Sequence, residues 1–321
     1  MKRLIYLLLA AGGALRGISI FLLGLILFCP SVHAQQLPKV ACGHIERVKD
    51  FASSYVEPRN VDIWLPPGYA RDKKYSVLYM EDGQALFDST LMWNHEEWGV
   101  DETMCRLLAA RKIKDCIVVG IWNTARRRPE YFPQHPFESL PGAQKDTLLH
   151  AVDAYGKPVF SVPPFSDKYL QFLVTELKPY IDSHYSTAKD QRHTFVAGSS
   201  MGGLISLYAI CEYPEVFYGA ACLSTHWTGV FTGNNNPLPG ALINYLRYKL
   251  PDPKNHKIYF DHGTATLDTL YGPYQKQVDI VMKAKGYGPA NWESKVYRGA
   301  AHDERSWNRR LENPLLFLMK K

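Results

Sequence analysis

One short run constrains the fold of this chain more than any other: His193-Thr-Phe-Val-Ala-Gly198-Ser199-Ser200-Met201-Gly202-Gly203-Leu204. Its first half is apolar, β-branched and aromatic, the composition of a buried strand. From residue 201 to 213 the apolar positions recur with helical spacing. No linker separates the two, so the strand must turn into the helix between Gly198 and Gly202, the frame of a G-x-S-x-G motif. Glycine at both ends of that frame lets neighbouring backbone pass close by, while the central serine sits on strained backbone with its hydroxyl projecting from the turn. Ser200 is the candidate nucleophile. Ser199 is not flanked by glycines in that frame and is assigned a packing or turn role.

The same alternation runs through the chain. Residues 61–65, 76–80, 116–121, 193–197, 219–224, 257–260 and 293–297 read as strands, and 100–110, 167–183, 201–213, 240–250, 271–285 and the tail from Asp303 read as helices. Strands separated by helices predict right-handed crossovers, hence an α/β fold with a mostly parallel sheet covered by helices on both faces. Sites in such sheets form beyond the carboxyl ends of the strands. One connection breaks the rhythm: residues 122–166, rich in Pro, Tyr and Phe, show no clear helix. Leaving the carboxyl end of a strand, this segment reads as a long loop insertion over the site.

A serine hydroxyl needs a base, and the base needs an oriented, charge-compensating carboxylate. Four histidines follow Ser200: His226, His256, His262 and His302. His256 stands at the amino end of a strand, the wrong edge of the sheet, and His262 reads as a loop residue. His302 follows the last strand and precedes the terminal helix, where the base loop belongs. Two carboxylates compete for the third role. Asp268 is preferred, because it lies far enough along the loop to reach across to the base, whereas Asp261 can be held by the backbone of its own turn. Two backbone N–H groups for a developing oxyanion are expected from Met201, at the start of its helix, and from Gln84, after the bend at Gly83. Trp122, Arg126, Arg127, Tyr131, His226 and Trp227 are candidate substrate contacts: aromatic side chains able to stack on a ring, and cations to meet an acidic group. Arg127 could instead pair with Glu130 and shape the loop.

Further pieces, in order, are Tyr79-Met80-Glu81-Asp82-Gly83-Gln84-Ala85-Leu86-Phe87-Asp88, Val118-Val119-Gly120-Ile121-Trp122-Asn123 with Arg127 and Glu130-Tyr131, Glu176-Leu177-Lys178-Pro179-Tyr180-Ile181-Asp182, and His302 with Glu304 and Trp307. With the serine motif they give the chain, from about residue 55 onward, a resemblance to the Putative esterase family of α/β-hydrolases, which includes esterase D, enterochelin esterases and bacterial feruloyl and acetyl xylan esterases. The resemblance implies an α/β-hydrolase fold and hydrolysis of carboxylic esters through Ser200, a carboxylate and His302, without a metal or other cofactor. Thr266 stands about where the family places its acid, a departure from the pattern. The expected substrates are small-molecule or carbohydrate-linked esters, acetyl or feruloyl, with a siderophore ester or acyl transfer by the same residues as alternatives.

The first 34 residues read as an export signal: basic Met1-Lys2-Arg3, an apolar run over 17–28, and Val32-His33-Ala34 before a cleavage point at Gln35. Residues 35–321 are then expected to form a single domain, periplasmic or secreted, with no stable membrane association. Loss of Lys2, Arg3 and Arg16 lowers the net charge from +6 to about +3. That charge is too small and too scattered for a nucleic-acid footprint. Cys42, Cys105, Cys116, Cys211 and Cys222 remain after cleavage, an odd number in a chain large enough to need no staples, so buried thiols are the expectation. No cysteine or histidine spacing matches a zinc site.

Overall fold

Alternate residues of the apolar runs face opposite sides, and this decides the layering. In the computed structural model, which describes residues 36–152, 156–160, 162–229 and 235–321, Val77 and Tyr79 enter one hydrophobic core while Leu78 and Met80 enter another. Ile117 and Val119 divide from Cys116 and Val118 in the same way. A strand apolar on both faces needs cover on both, as parallel sheets do.

Among the described residues, eight strands form one sheet: β1 (His44–Phe51), β2 (Arg59–Leu65), β3 (Ser76–Glu81), β4 (Cys116–Ile121), β5 (Thr194–Ser199), β6 (Gly219–Leu223), β7 (Lys257–Gly263) and β8 (Trp292–Tyr297). Their order is β1-β2-β4-β3-β5-β6-β7-β8. β1 and β2 pair antiparallel with each other and β2 antiparallel with β4, and the remaining pairs are parallel. This is the α/β-hydrolase architecture. The compact unit spans Leu37–Lys321, and the export signal expected over 1–34 lies outside the described residues.

Three expectations need correction. β1 is absent from the sequence reading because its residues, His-Ile-Glu-Arg-Val-Lys-Asp-Phe, are largely charged; it is an edge strand, partly exposed throughout. Its Arg47 forms an ion pair of 2.6 Å with buried Asp62 of β2. The 122–166 segment is not a loop. It carries three short helices, Arg127–Tyr131, Gln134–Glu138 and Gly142–Leu149, and sends Tyr131, Phe132, Phe137 and Phe160 into the core. Pro129, Pro133, Pro136 and Pro141 hid those helices, since helices this short show no periodicity and each has a proline within two residues of its start. Finally, Cys42 and Cys105 form a disulfide with Cα atoms 6.4 Å apart, while Cys116, Cys211 and Cys222 are buried thiols. Pairing depended on where the segment before β1 returns against the helix Val100–Ala109, which spacing does not reveal.

Candidate active site

β5 enters the helix Met201–Glu212 without an intervening residue other than Ser200. Ser200 has φ 56° and ψ −120°, a conformation that L-residues rarely adopt. Its N–H donates to the Leu223 carbonyl at 2.9 Å, tying the turn to the end of β6. The glycine frame has a measurable cause: a Cβ on Gly198 would sit 2.6 Å from the backbone carbon of Gly202, and one on Gly202 would lie 3.1 Å from Cβ of Glu81.

The loops after β7 and β8 meet beside this turn. Nδ1 of His302 lies 2.6 Å from Oδ1 of Asp268. Oδ2 of the same carboxylate accepts the Ser224 hydroxyl at 2.6 Å and the Gly263 N–H at 2.5 Å. Burial works against the Asp268 charge, but His302 and Ser224 more than offset it, and its pKa falls below the usual carboxylate value. An ionised carboxylate can only accept, so Nδ1 carries the proton and Nε2 is left as the acceptor. The two loops are stitched by backbone: the Ala300 carbonyl accepts N–H groups from Thr264 and Ala265 at 3.0 Å each. Thr266, with φ 51°, accepts the His302 N–H on its hydroxyl at 2.8 Å. The residue at the position where the family's acid is expected thus anchors the histidine's backbone.

Asp261 is elsewhere. β7 extends to Gly263, so Asp261 lies inside the strand and pairs with buried Arg310 at 3.0 Å. Ser224, which sequence reasoning missed, joins the two carboxylate systems: its hydroxyl accepts from Arg310 at 2.7 Å and from the Trp307 indole at 3.0 Å while donating to Asp268. Nothing in its neighbourhood along the chain marks it, because its partners come from residues 268, 307 and 310.

A cleft of about 800 Å³ opens over Ser200 and His302. Gln84, Trp122, Asn123 and Arg127 line one part of it, and Leu91, Met92, Trp93, Trp98 and Glu304 another. Gln84 follows Asp82, which takes up the left-handed conformation, φ 58°, to start the turn. Arg127 grips Asp82 through two bonds of 2.6 and 2.7 Å, and Glu130 is instead paired with Arg59 at 2.7 Å, correcting the Arg127–Glu130 alternative. Glu81, beside Asp82, is buried against Tyr169. Burial drives its pKa up to about 8.

Four of the expected substrate contacts do not line the cleft. Arg126 is turned toward Glu57, 3.3 Å away, at a separate depression. Tyr131 is fully buried beneath Asp82 and Arg127. Trp227 is core, its indole donating to Gln275 at 3.0 Å. His226 is buried, with Nδ1 2.6 Å from the Tyr271 hydroxyl. Its own N–H bonds the Ser200 carbonyl at 3.2 Å, and Tyr271 stands edge-on to the His302 ring, centroids 5.7 Å apart. His226 and Tyr271 therefore back the site from inside. The wall formed by 91–98 was missed because those residues have neither strand nor helix periodicity. The pair Trp93 and Trp98 in a stretch without periodicity was the available signal, and Trp93 is 88% exposed.

A parallel sheet with a strained serine at the end of β5 and a carboxylate–histidine pair on the loops after β7 and β8 defines an α/β-hydrolase. The Putative esterase family model matches residues 52–146 and 161–318, and the chain belongs to that family; it is an esterase. YbbA of Bacillus subtilis is 22% identical over 271 residues, covering 82% of this chain and 93% of the relative. An endo-1,4-beta-xylanase/feruloyl esterase of Xylanibacter ruminicola is 24% identical over 294 residues, covering 87% of this chain but 32% of the relative. Among solved structures, a ferulic acid esterase superposes with TM-score 0.60 at 19% identity, covering 86% of this chain and 98% of that one. The enterobactin esterase FES of Shigella flexneri gives 0.58 at 17% identity, covering 88% and 60%.

Proposed function

We propose that this esterase is an exported carboxylic-ester hydrolase in which Ser200 is the nucleophile, His302 its base and Asp268 the orienting acid. The observation that carries the reading is the 2.6 Å contact between His302 and Asp268 at the rim of a cleft that also holds Ser200. With Nδ1 protonated, Nε2 can take the serine proton as the hydroxyl attacks the ester carbon, and the Asp268 charge stabilises the imidazolium that forms. The proton then passes to the leaving alcohol, and water repeats the sequence on the acyl-enzyme. Backbone N–H groups of Met201 and Gln84 receive the oxyanion. Trp93, exposed at the cleft, and Trp122 in its lining suit substrates with a ring, while Trp98 and Trp307 are buried behind them, and acyl esters of carbohydrates are the proposed class.

The Cys42–Cys105 disulfide supports the export reading, because such bonds persist in oxidising compartments. No helix among the described residues is long and apolar enough to cross a membrane. The test is a panel of acetyl, feruloyl and short aryl esters of sugars and simple alcohols, with Ser200→Ala as control. Turnover should require Ser200, and carbohydrate esters should be preferred by kcat/KM. Serine-independent turnover would overturn the mechanism, and a preference for simple alkyl esters would overturn the substrate class.

A further inference from the structure

The ester cleft occupies the carboxyl end of the sheet, and a second groove lies at the other end. Lys257 opens β7 and Gly263 closes it beside Asp268, so the two regions are roughly 20 Å apart at about 3.3 Å per residue. This second groove has a volume of about 710 Å³. Its lining includes six cations, Arg111, Lys112, Lys257, Lys295, Lys320 and Lys321, against one carboxylate, Glu293.

Pairing leaves an excess of positive charge. Glu293 is engaged by Lys295 at 2.7 Å, and Lys112 and Lys321 reach Glu312 and Asp115 at 3.5 and 3.9 Å. Arg111, Lys257 and Lys320 have no carboxylate within salt-bridge distance among the described residues. Lys257 donates to the Phe317 carbonyl at 3.1 Å and stands over its ring. Burial, with Lys114 and Lys320 nearby, lowers its pKa. Arg111, Lys112, Lys320 and Lys321 are exposed around the groove, and like charges gathered there raise the local positive potential that would draw an anion. The lining also has an apolar part, Pro289, Leu316 and Phe317.

We propose that this groove binds an acidic oligosaccharide, a chain of sugar rings bearing carboxylates. The volume falls in the range of small-ligand sites, Pro289 and Leu316 can receive the C–H face of a pyranose while Phe317 is taken up by Lys257 and Tyr259, and cations on the rim meet carboxylates on either side. A flat bilayer surface cannot fill such a concavity. The site shares no residue with the cleft; that it would hold a polymer while the cleft works on another part of it rests on the carbohydrate-ester reading above.

Binding of fluorescently labelled tetragalacturonate to the whole protein, followed by anisotropy, is the test. The wild type should bind it at least tenfold more tightly than neutral xylotetraose, and added salt should weaken that binding. Arg111→Glu combined with Lys320→Glu should weaken it at least tenfold while aryl acetate hydrolysis and Tm stay unchanged. Arg111→Gln with Lys320→Gln serves the same purpose if charge reversal impairs folding. Equal affinity for the acidic and neutral tetramers, or undiminished binding by a folded variant, would overturn the proposal. So would binding to phosphatidylglycerol vesicles that tetragalacturonate fails to compete.

Discussion

Ser200, His302 and Asp268 act together in the proposed mechanism, so their removal should not be additive. Ser200→Ala and His302→Ala should each lower kcat by about four to six orders of magnitude, with the double variant little worse, as steady-state rates on an aryl ester would show. The two aspartates should separate by kind of damage. Asp268→Asn keeps the shape but cannot hold His302 in the required tautomer, and kcat should fall on the order of 10⁴-fold with Tm little changed. Asp261→Asn removes the nearer of the two carboxylates facing buried Arg310, leaving Asp268 at 3.9 Å, and should destabilise the fold by up to about 3–5 kcal/mol in urea unfolding while the folded enzyme keeps its turnover. Glu81 gives a prediction in pH. Its folded pKa of about 8 lies above the unfolded value. Its contribution to stability is therefore full below about pH 4.5 and is lost as pH rises toward 8. Glu81→Gln should remove that part of the decline in Tm between pH 5 and 8.

At the scale of elements, the acid and base loops are built as one piece. A Cβ on Gly263 would lie 2.1 Å from the Ala300 carbonyl oxygen, so Gly263→Ala must push the His302 loop away from Asp268. Both kcat and Tm should fall, unlike the purely catalytic loss from Asp268→Asn. Residues of 91–98 line the cleft together with Trp122, Asn123 and Arg127, and Trp93 is the exposed ring among them. Trp93→Ala should raise KM for esters of oligosaccharides several-fold and leave aryl acetate hydrolysis unchanged, because remote contacts help only substrates large enough to make them. The helices of 127–149 play another part. Their aromatic residues fill the core, so Tyr131→Ala or Phe132→Ala should act on stability first.

For the whole molecule, the Cys42–Cys105 bridge closes a loop of 63 residues in sequence separation, tying the segment before β1 to the helix that packs on the sheet. Its loss in Cys42→Ser with Cys105→Ser should cost up to about 4 kcal/mol on the chain-entropy account, measured by denaturant midpoint against the oxidised parent. The proposed nucleophile lies at one end of the sheet and the cationic groove at the other, so the chain carries this cluster of positive charge away from the cleft over Ser200.

What the sequence determined by itself was whatever depends on near neighbours: the strand–serine–helix turn, the alternation that makes a parallel sheet, the position of His302 after the last strand. These follow from steric limits and periodicity acting over a few residues. The charged edge strand and the proline-initiated helices lay beyond that reach, since neither has an apolar period to read. Only the tertiary structure brought Asp268 to His302, buried Asp261 against Arg310, set Ser224 between them, paired Cys42 with Cys105 and moved Arg126, Tyr131, His226 and Trp227 out of the cleft. Such partners are tens of residues apart, from 34 for Asp268 and His302 to 86 for Ser224 and Arg310, and hydrogen bonds and burial between them depend on ångström-level placement that no local pattern specifies.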